Sequence, residues 1–341
     1  AIDASGNLLV GGEFSTYKTT NCRRLIRLKP DGTVYTGFLT GMGGDVATNG
    51  FNNAVYSLAI DASRNILVGG QFTTYNNNTY NCNAIIRLKP DGTPDLDFLA
   101  GMGGATNPTN GFYTIIASLV RTMVIDASGN ILVGGDFSQY NGTNCKNIVR
   151  LKPDGTVEPV FLAGMCGDVA TNGYNARVTT LAIDASRNIL VGGLFGTYNG
   201  ITDNLISRLK PDGTIDTGFL GGFGNFVYGI AVEPLTGYIY VVGRYGEIRR
   251  LKPDGSVDPV FAANAGNQFD NDVFAVAIDP GGNILVGGYM TTYGRGSFYK
   301  CKGIIRLKTD GTVDQGFLAG MGGNTATNGF NDVIANNARP L

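Results

Sequence analysis

The chain has no histidine and no tryptophan among its 341 residues. Without histidine, Ser-His-Asp and Cys-His nucleophile systems and imidazole-ligated metals are excluded. Charge of either sign is scarce in excess: 26 Lys and Arg stand against 27 Asp and Glu, for a net charge of −1. The cations are scattered without a basic stripe, so nucleic acid is not an expected partner. No apolar run is long enough to span a membrane as a helix, and insertion is not expected. Helix signals are equally scarce, because Gly and Asn-Gly interruptions break every apolar 3.6-residue pattern within about ten residues. No secretion leader is visible. The chain starts at Ala1 inside a repeating unit, so the expectation is an N-terminus that has been processed, trimmed or cut from a longer polypeptide.

Cysteine is also sparse. Cys22, Cys82, Cys145 and Cys301 occupy the same place in four copies of a repeat, and Cys166 stands where other copies carry Gly. Equivalent sites around a ring lie farther apart than the ~7 Å Cα limit of a disulfide. One thiol per repeat cannot converge on a single zinc ion. Five unpaired thiols point to folding in a reducing cytosol. Neither a metal nor a cofactor is expected.

What the chain has in abundance is glycine, 52 residues, and repetition. The phrase IDASGNILVGGxFxxYN…IIRLKPDGTVDxxF begins at Ile2, Ile60, Ile125, Ile183 and Ile278, and a degraded copy surrounds Val232. Six copies of roughly 50–60 residues, built from short strands and turns, are the pattern of a β-propeller. In the second copy, 54–60 reads as the inner strand and 65–72 as the next. A third strand covers 84–89, and a weak outer strand ends near Phe98. The continuous apolar run Ile66-Leu67-Val68 suits a strand covered on both faces. Asp61 to Asn65 forms a tight hairpin, and Pro90-Asp91-Gly92 forms a second turn. The paired glycines, Gly69-Gly70 and their equivalents, allow close packing on the neighbouring copy. The expected fold is therefore all-β: a six-bladed propeller of four-stranded antiparallel blades, one domain over 1–341. The blades cover 1–50 plus 330–338, 51–111, 112–173, 174–224, 225–267 and 268–329. Copy one lacks its inner strand, and 330–335 resembles the start of one, so the C-terminal segment is expected to close the ring and remove an open edge.

The chain resembles the delta-60 repeat family of bacterial and phage surface-type propellers. The residues that carry the resemblance are Gly134-Gly135-Asp136-Phe137, Tyr140-Asn141-Gly142, Arg150-Leu151, Asp154-Gly155 and Phe161, with counterparts elsewhere. The resemblance covers essentially the whole chain. It implies the propeller fold and membership of large surface, secreted or virion-associated proteins, and it brings no catalytic site. The copy at 226–261 departs from the pattern, lacking the FxxYN loop and one paired glycine.

Several residues invite a functional reading. The six third-strand arginines (Arg27, Arg87, Arg150, Arg208, Arg250, Arg306) form either a functional ring or local pairs with carboxylates and turn carbonyls. The Asp-x-Ser-Gly-Asn loops at Asp3 and Asp126 look faintly like calcium loops, but lack the length and glutamate of one. Tyr17, Tyr75, Tyr140, Tyr198 and Tyr293 are packing residues or exposed aromatic platforms. Long loops should gather on one face as a crown, notched at the fifth copy, and binding commonly resides on loops of a rigid scaffold. The expected partner-binding set is Arg244, Tyr245, Tyr75, Asn76, Tyr140, Asn141, Tyr198 and Asn199. Three functions follow. The first is a non-enzymatic structural or docking module of a larger assembly, a phage virion or tail component or a bacterial surface protein, contacting other protein subunits. The second is a lectin-like adhesin module binding surface glycan. The third is a propeller lactonase or hydrolase, whose only candidate residues are Glu13, Asp136, Arg244 and Glu247. The final location expected from the first is the virion or the cell surface.

Overall fold

The computed structural model describes residues 1–330 apart from 105, 108–109, 114–117, 204, 266–268, 295–298 and 326–328. The fold is all-β and propeller-like, an array of repeated antiparallel sheets with few helices. In the second copy the strands Val55–Ile60, Ile66–Gly70 and Ile85–Leu88 pair in that order, with Leu58 opposite Val68 and Val68 opposite Ile86. The third copy repeats this with Leu119–Ile125, Ile131–Asp136 and Ile148–Leu151, the fifth with Val227–Val232, Ile239–Gly243 and Ile248–Leu251. The middle strand Ile66–Gly70 is buried at every position, which is why it reads as continuously apolar rather than alternating. Among the described residues the blade sheet of the first copy consists of Leu8–Gly11 and Leu25–Leu28, with no inner strand beside them. Leu8 and Val10 are 37% and 39% exposed.

The chain divides into two compact units, Ala1–Val178 with Tyr198–Gly200, and Thr179–Thr197 with Ile201–Leu341. The first is centred on Val55, Val68, Ile86, Val120 and Val133. The second contains a cluster around Val242, Phe261, Val273, Val286 and Ile305 and another around Leu190, Ile206, Val227 and Val241.

The expected fourth strand is not formed among the described residues. A single bridge, Leu88 to Pro94, follows the second turn, and the chain then winds into a short helix, Leu96–Gly101. Thr36–Gly41, Pro159–Gly164, Pro259–Ala265 and Gln315–Gly320 are its counterparts. The cause is local. Asp95 accepts hydrogen bonds from the Asp97 and Phe98 amides, Glu158 from Val160 and Phe161, and Asp314 from Gly316 and Phe317. An acidic residue satisfying two free amides is a strong helix start. The phenylalanine three residues on is then turned inward, and Phe98 and Phe161 are fully buried.

Close packing at the paired glycines is as expected. A Cβ on Gly69 would lie 2.4 Å from Val120 Cγ1, and one on Gly134 2.5 Å from Val178 Cγ1. Both glycines thus receive the inner-strand valine of the next copy.

All five cysteines are free: Cys22, Cys82, Cys145 and Cys301 are buried and Cys166 is exposed. Burial pushes the Cys301 thiol up to about 12 and raises Cys22, Cys82 and Cys145 as well. Buried, protonated thiols react slowly. Alkylation without reductant should therefore add one label to the folded protein, at Cys166, and five after unfolding, read by intact mass. A labelled count of three or fewer in unfolded protein would reveal a disulfide and defeat this assignment.

Candidate partner-binding site

The third-strand arginines are local ties. Arg87, Arg208, Arg250 and Arg306 pair with Asp95, Asp216, Asp258 and Asp314 at 2.7–2.8 Å, while Arg27 and Arg150 pair with Asp3 and Asp126. They also reach the next copy's turn: Arg27 donates to the Pro90 carbonyl at 2.6 Å and Arg87 to that of Pro153 at 2.5 Å. The carboxylate of Asp126 is fully engaged, accepting from the Ser128 and Asn130 amides, the Asn130 side chain and Arg150. Burial alone would raise its pKa, but the Asn130 bonds and the Arg150 charge hold it below the ordinary carboxylate range. This is the bonding of a plain hairpin.

Between the second and third strands each of copies one to four and six carries a two-residue ribbon, such as Thr74–Tyr75 with Tyr80–Asn81. Its tyrosine turns inward. Tyr75 and Tyr140 are completely buried and Tyr198 is 1% exposed. The Tyr75 hydroxyl donates to the Gly92 carbonyl at 2.7 Å and that of Tyr140 to Gly155 at 2.6 Å, tying the ribbon to its own copy's second turn. An aromatic residue from the incoming loop lies on it: Phe51 on Tyr75 at 4.7 Å, Phe112 on Tyr140 at 4.8 Å, Tyr174 on Tyr198 at 4.7 Å. Tyr75, Tyr140 and Tyr198 therefore leave the expected binding set, because a ring with no exposed surface cannot touch a partner. The neighbouring Asn76, Asn141 and Asn199 hold left-handed backbone at φ 50, 47 and 48°. Asn141 and Asn199 accept from the Gly111 and Gly173 amides at 2.7 and 2.6 Å, which makes them loop staples.

The loops between copies are pinned by asparagines that the repeat pattern concealed. Asn49, Asn110 and Asn172 are 0–1% exposed. Asn110 donates to the Asn81 and Gly104 carbonyls at 2.7 and 2.9 Å, and Asn172 to those of Asn144 and Gly167 at 2.8 and 2.7 Å. The recurring Thr-Asn-Gly was the available signal. It reads as a polar loop until the carbonyls it satisfies are seen.

The fifth copy differs in kind. Its ribbon is replaced by the single 3-10 turn Arg244–Gly246, in which Tyr245 takes φ 59°. Tyr245 is 60% exposed, and its amide donates to Asp272 Oδ1 at 2.8 Å. The Arg244 guanidinium lies 5.2 Å from the Phe226 ring centre and 4.6 Å from that of Tyr245. Arg244 and Tyr245 thus come together as a pair, Tyr245 exposed and Arg244 half-buried. Beside them runs an aromatic row that sequence reading missed: Tyr228 on Phe274 at 5.1 Å, and Phe274 edge-on to Tyr289 at 4.7 Å. Its signal was present. Arg244 and Tyr289 follow the strand glycines where other copies carry Glu13, Gln71, Asp136 and Leu194. The repeat fails at this one register in every copy.

Of the remaining acidic candidates, Asp136 and Glu247 are occupied. Asp136 is held by Arg121 at 2.6 Å and by Arg177 at 3.3 Å. Glu247, 2% exposed, pairs with Arg249 at 2.6 Å and accepts from Asn225 at 2.8 Å. Glu13 is exposed.

Five segments, 4–38, 63–98, 127–161, 186–219 and 280–317, match the family described as a domain of unknown function (DUF5122) beta-propeller. They make up just over half of the chain. This protein belongs to the DUF5122 β-propeller family. The copy around Val232 is the one left unmatched, in keeping with its lost ribbon. Among solved structures, the WD40 β-propeller domain of Doa1 is similar with a TM-score of 0.53 and 14% identity, over 92% of this chain and 79% of that one. The extracellular domain of the putative one component system BT4673 from B. thetaiotaomicron gives a TM-score of 0.47 and 15% identity, over 84% of this chain and 30% of that one. Virginiamycin B lyase from Staphylococcus aureus gives 0.43 and 12%, over 76% and 72%. At these identities the likeness concerns the fold alone. A search of curated proteins found no match.

Proposed function

We propose that this DUF5122 propeller is a non-enzymatic docking module of a larger assembly, a virion or tail component or a bacterial surface protein, and that it contacts its protein partner through the fifth-copy notch. The observation that carries this reading is the exposed Tyr245 with the half-buried Arg244 beside it, where the ribbon of the other copies is lost. Arginine and tyrosine are enriched at contact hot spots. A partner that must dock in one orientation on a repeated scaffold needs the feature that breaks the repeat. The hydrolase alternative has little to use, since Asp136 and Glu247 are each tied to guanidinium. The glycan alternative loses its repeated platforms with the burial of Tyr75, Tyr140 and Tyr198.

The same reading holds that the six copies form one ring and that 330–338 supplies the inner strand missing from the first copy. Two observations support it. The edge strand Leu8–Gly11 has an unfilled apolar side. Phe330, the counterpart of the buried Phe51 and Phe112, is 62% exposed, while the first ribbon's Tyr17 is less buried than Tyr75 or Tyr140. Residues 331–338 lie outside the described ones.

The test is incorporation of the chain into its native particle, followed by imaging and sedimentation. Arg244→Ala/Tyr245→Ala should reduce incorporation at least ~10-fold, a hot-spot-sized loss, with unchanged folding by circular dichroism. Lys89→Ala, on an exposed turn, should have no effect. The reverse pattern places the contact at the Lys89 turn and removes the notch from consideration.

A further inference from the structure

Arg244 is unlike the other arginines at repeat-breaking positions. Arg121 and Arg177 share Asp136, and Arg249 holds Glu247. Among the described residues Arg244 has no carboxylate within salt-bridge distance and no hydrogen bond through its guanidinium. Its contacts are cation–π approaches to the rings of Phe226 and Tyr245. With both rings nearby and neither carboxylate nor hydrogen bond on it, the half-buried guanidinium keeps its N–H donors for a ligand. A planar fork of this kind is matched by a carboxylate accepting two parallel N–H bonds.

The surroundings add a second requirement. Phe226, Tyr228, Phe274 and Tyr289 are all half-buried, so each offers part of a ring to whatever lies on the surface. The rings are tilted, at 45° for Tyr228 with Phe274 and 85° for Phe274 with Tyr289. They make a corrugated apolar floor rather than a flat platform. A pyranose needs an open ring face. A corrugated floor is better filled by branched or aromatic side chains. The Asp272 carboxylate is engaged by the Tyr245 amide and marks the edge of the patch.

Building on the docking role proposed above, we infer that the notch is a receptor for an acidic, apolar peptide segment of the partner protein. A glutamate or aspartate side chain, or a chain-terminal carboxylate, takes the fork of Arg244. Leu, Ile or Phe side chains close to it in sequence lie on the Phe226, Tyr228, Phe274 and Tyr289 rings. Electrostatics selects the segment, and the rings supply burial.

The probe is a fluorescein-labelled dodecapeptide of alternating Glu and Leu, with the Gln/Leu peptide and a fluorescein-labelled oligogalacturonate as the other arms, measured by anisotropy on the full chain. The Glu/Leu peptide should bind, and the Gln/Leu peptide at least ~10-fold more weakly, as expected for loss of a charge-assisted hydrogen bond. R244Q should weaken Glu/Leu binding by ~10–100-fold and leave the weak Gln/Leu binding unchanged. R244K keeps the charge without the fork and should fall between wild type and R244Q. Phe274→Ala should weaken both peptides, and circular dichroism of each variant checks that it folds. Equal binding of the two peptides, insensitivity to R244Q, or tighter binding of the oligogalacturonate overturns the inference. If no probe binds while Arg244→Ala/Tyr245→Ala still abolishes particle incorporation, the acidic-peptide chemistry is wrong and the docking surface stands. If incorporation is unaffected as well, both fall.

Discussion

Replacing Gly101 by alanine should destabilise the first unit by at least ~1–3 kcal/mol, the usual range for overpacking a filled site. For a unit of this size that is a melting shift of roughly 3–10 °C. The sign is the informative part. Gly101 ends the helix Leu96–Gly101, and Gly→Ala in a helix ordinarily stabilises by up to about 1 kcal/mol. Here an added Cβ would lie 1.8 Å from the Asp154 carbonyl oxygen, a backbone atom of the next copy's turn. Gly41 meets Asp91 in the same way, at 1.9 Å. A side-chain neighbour could swing aside, but the turn carbonyl cannot move without shifting Pro153, whose own carbonyl holds Arg87. Gly104, at φ 96° with nothing within 4 Å of its Cβ, is the control: alanine there should cost only the ~1–2 kcal/mol of left-handed strain. Urea unfolding of the two variants separates the cases. A G101A protein as stable as wild type would show that successive copies are not packed helix against turn.

Deleting residues 331–341 should lower the melting temperature by several degrees and raise the tendency to associate. If this segment is the first copy's inner strand, its loss leaves Leu8 and Val10 uncovered and a strand edge open. Open apolar edges pair with other chains. Losing a real strand costs several kcal/mol, at ~2–4 °C per kcal/mol for a domain of this size. Phe330→Ala in the full chain should reproduce part of the effect, because Phe330 would be the aromatic that docks on the first ribbon. A truncated protein that melts within about a degree of the intact one, with no added light scattering, would falsify closure by this segment.

The repeat phrase settled the strand order within each copy, the two turns and the close-packed glycines, because these follow from short-range chemistry: alternation, turn dihedrals and the absence of a side chain. It also announced the first copy's missing strand and the fifth copy's irregularity, since both are departures from an internal standard. The helix in place of the fourth strand was legible in principle. Asp95 and Glu158 stand three residues before Phe98 and Phe161, an N-cap pattern masked by a turn so short that no helical periodicity accumulates. Other features needed the tertiary structure. Tyr75 and Tyr140 recur as Asn76 and Asn141 do, and recurrence alone cannot tell a ring lying over a turn carbonyl from a ring facing solvent. Their burial depends on Gly92, Gly155, Phe51 and Phe112, brought to them by folding. For the same reason the sequence could single out Arg244 as a departure from the repeat but could not show what its guanidinium meets. Charge in a sequence has no partner until the chain is folded, and only the fold shows that Arg121, Arg177 and Arg249 have found carboxylates while Arg244 approaches two rings.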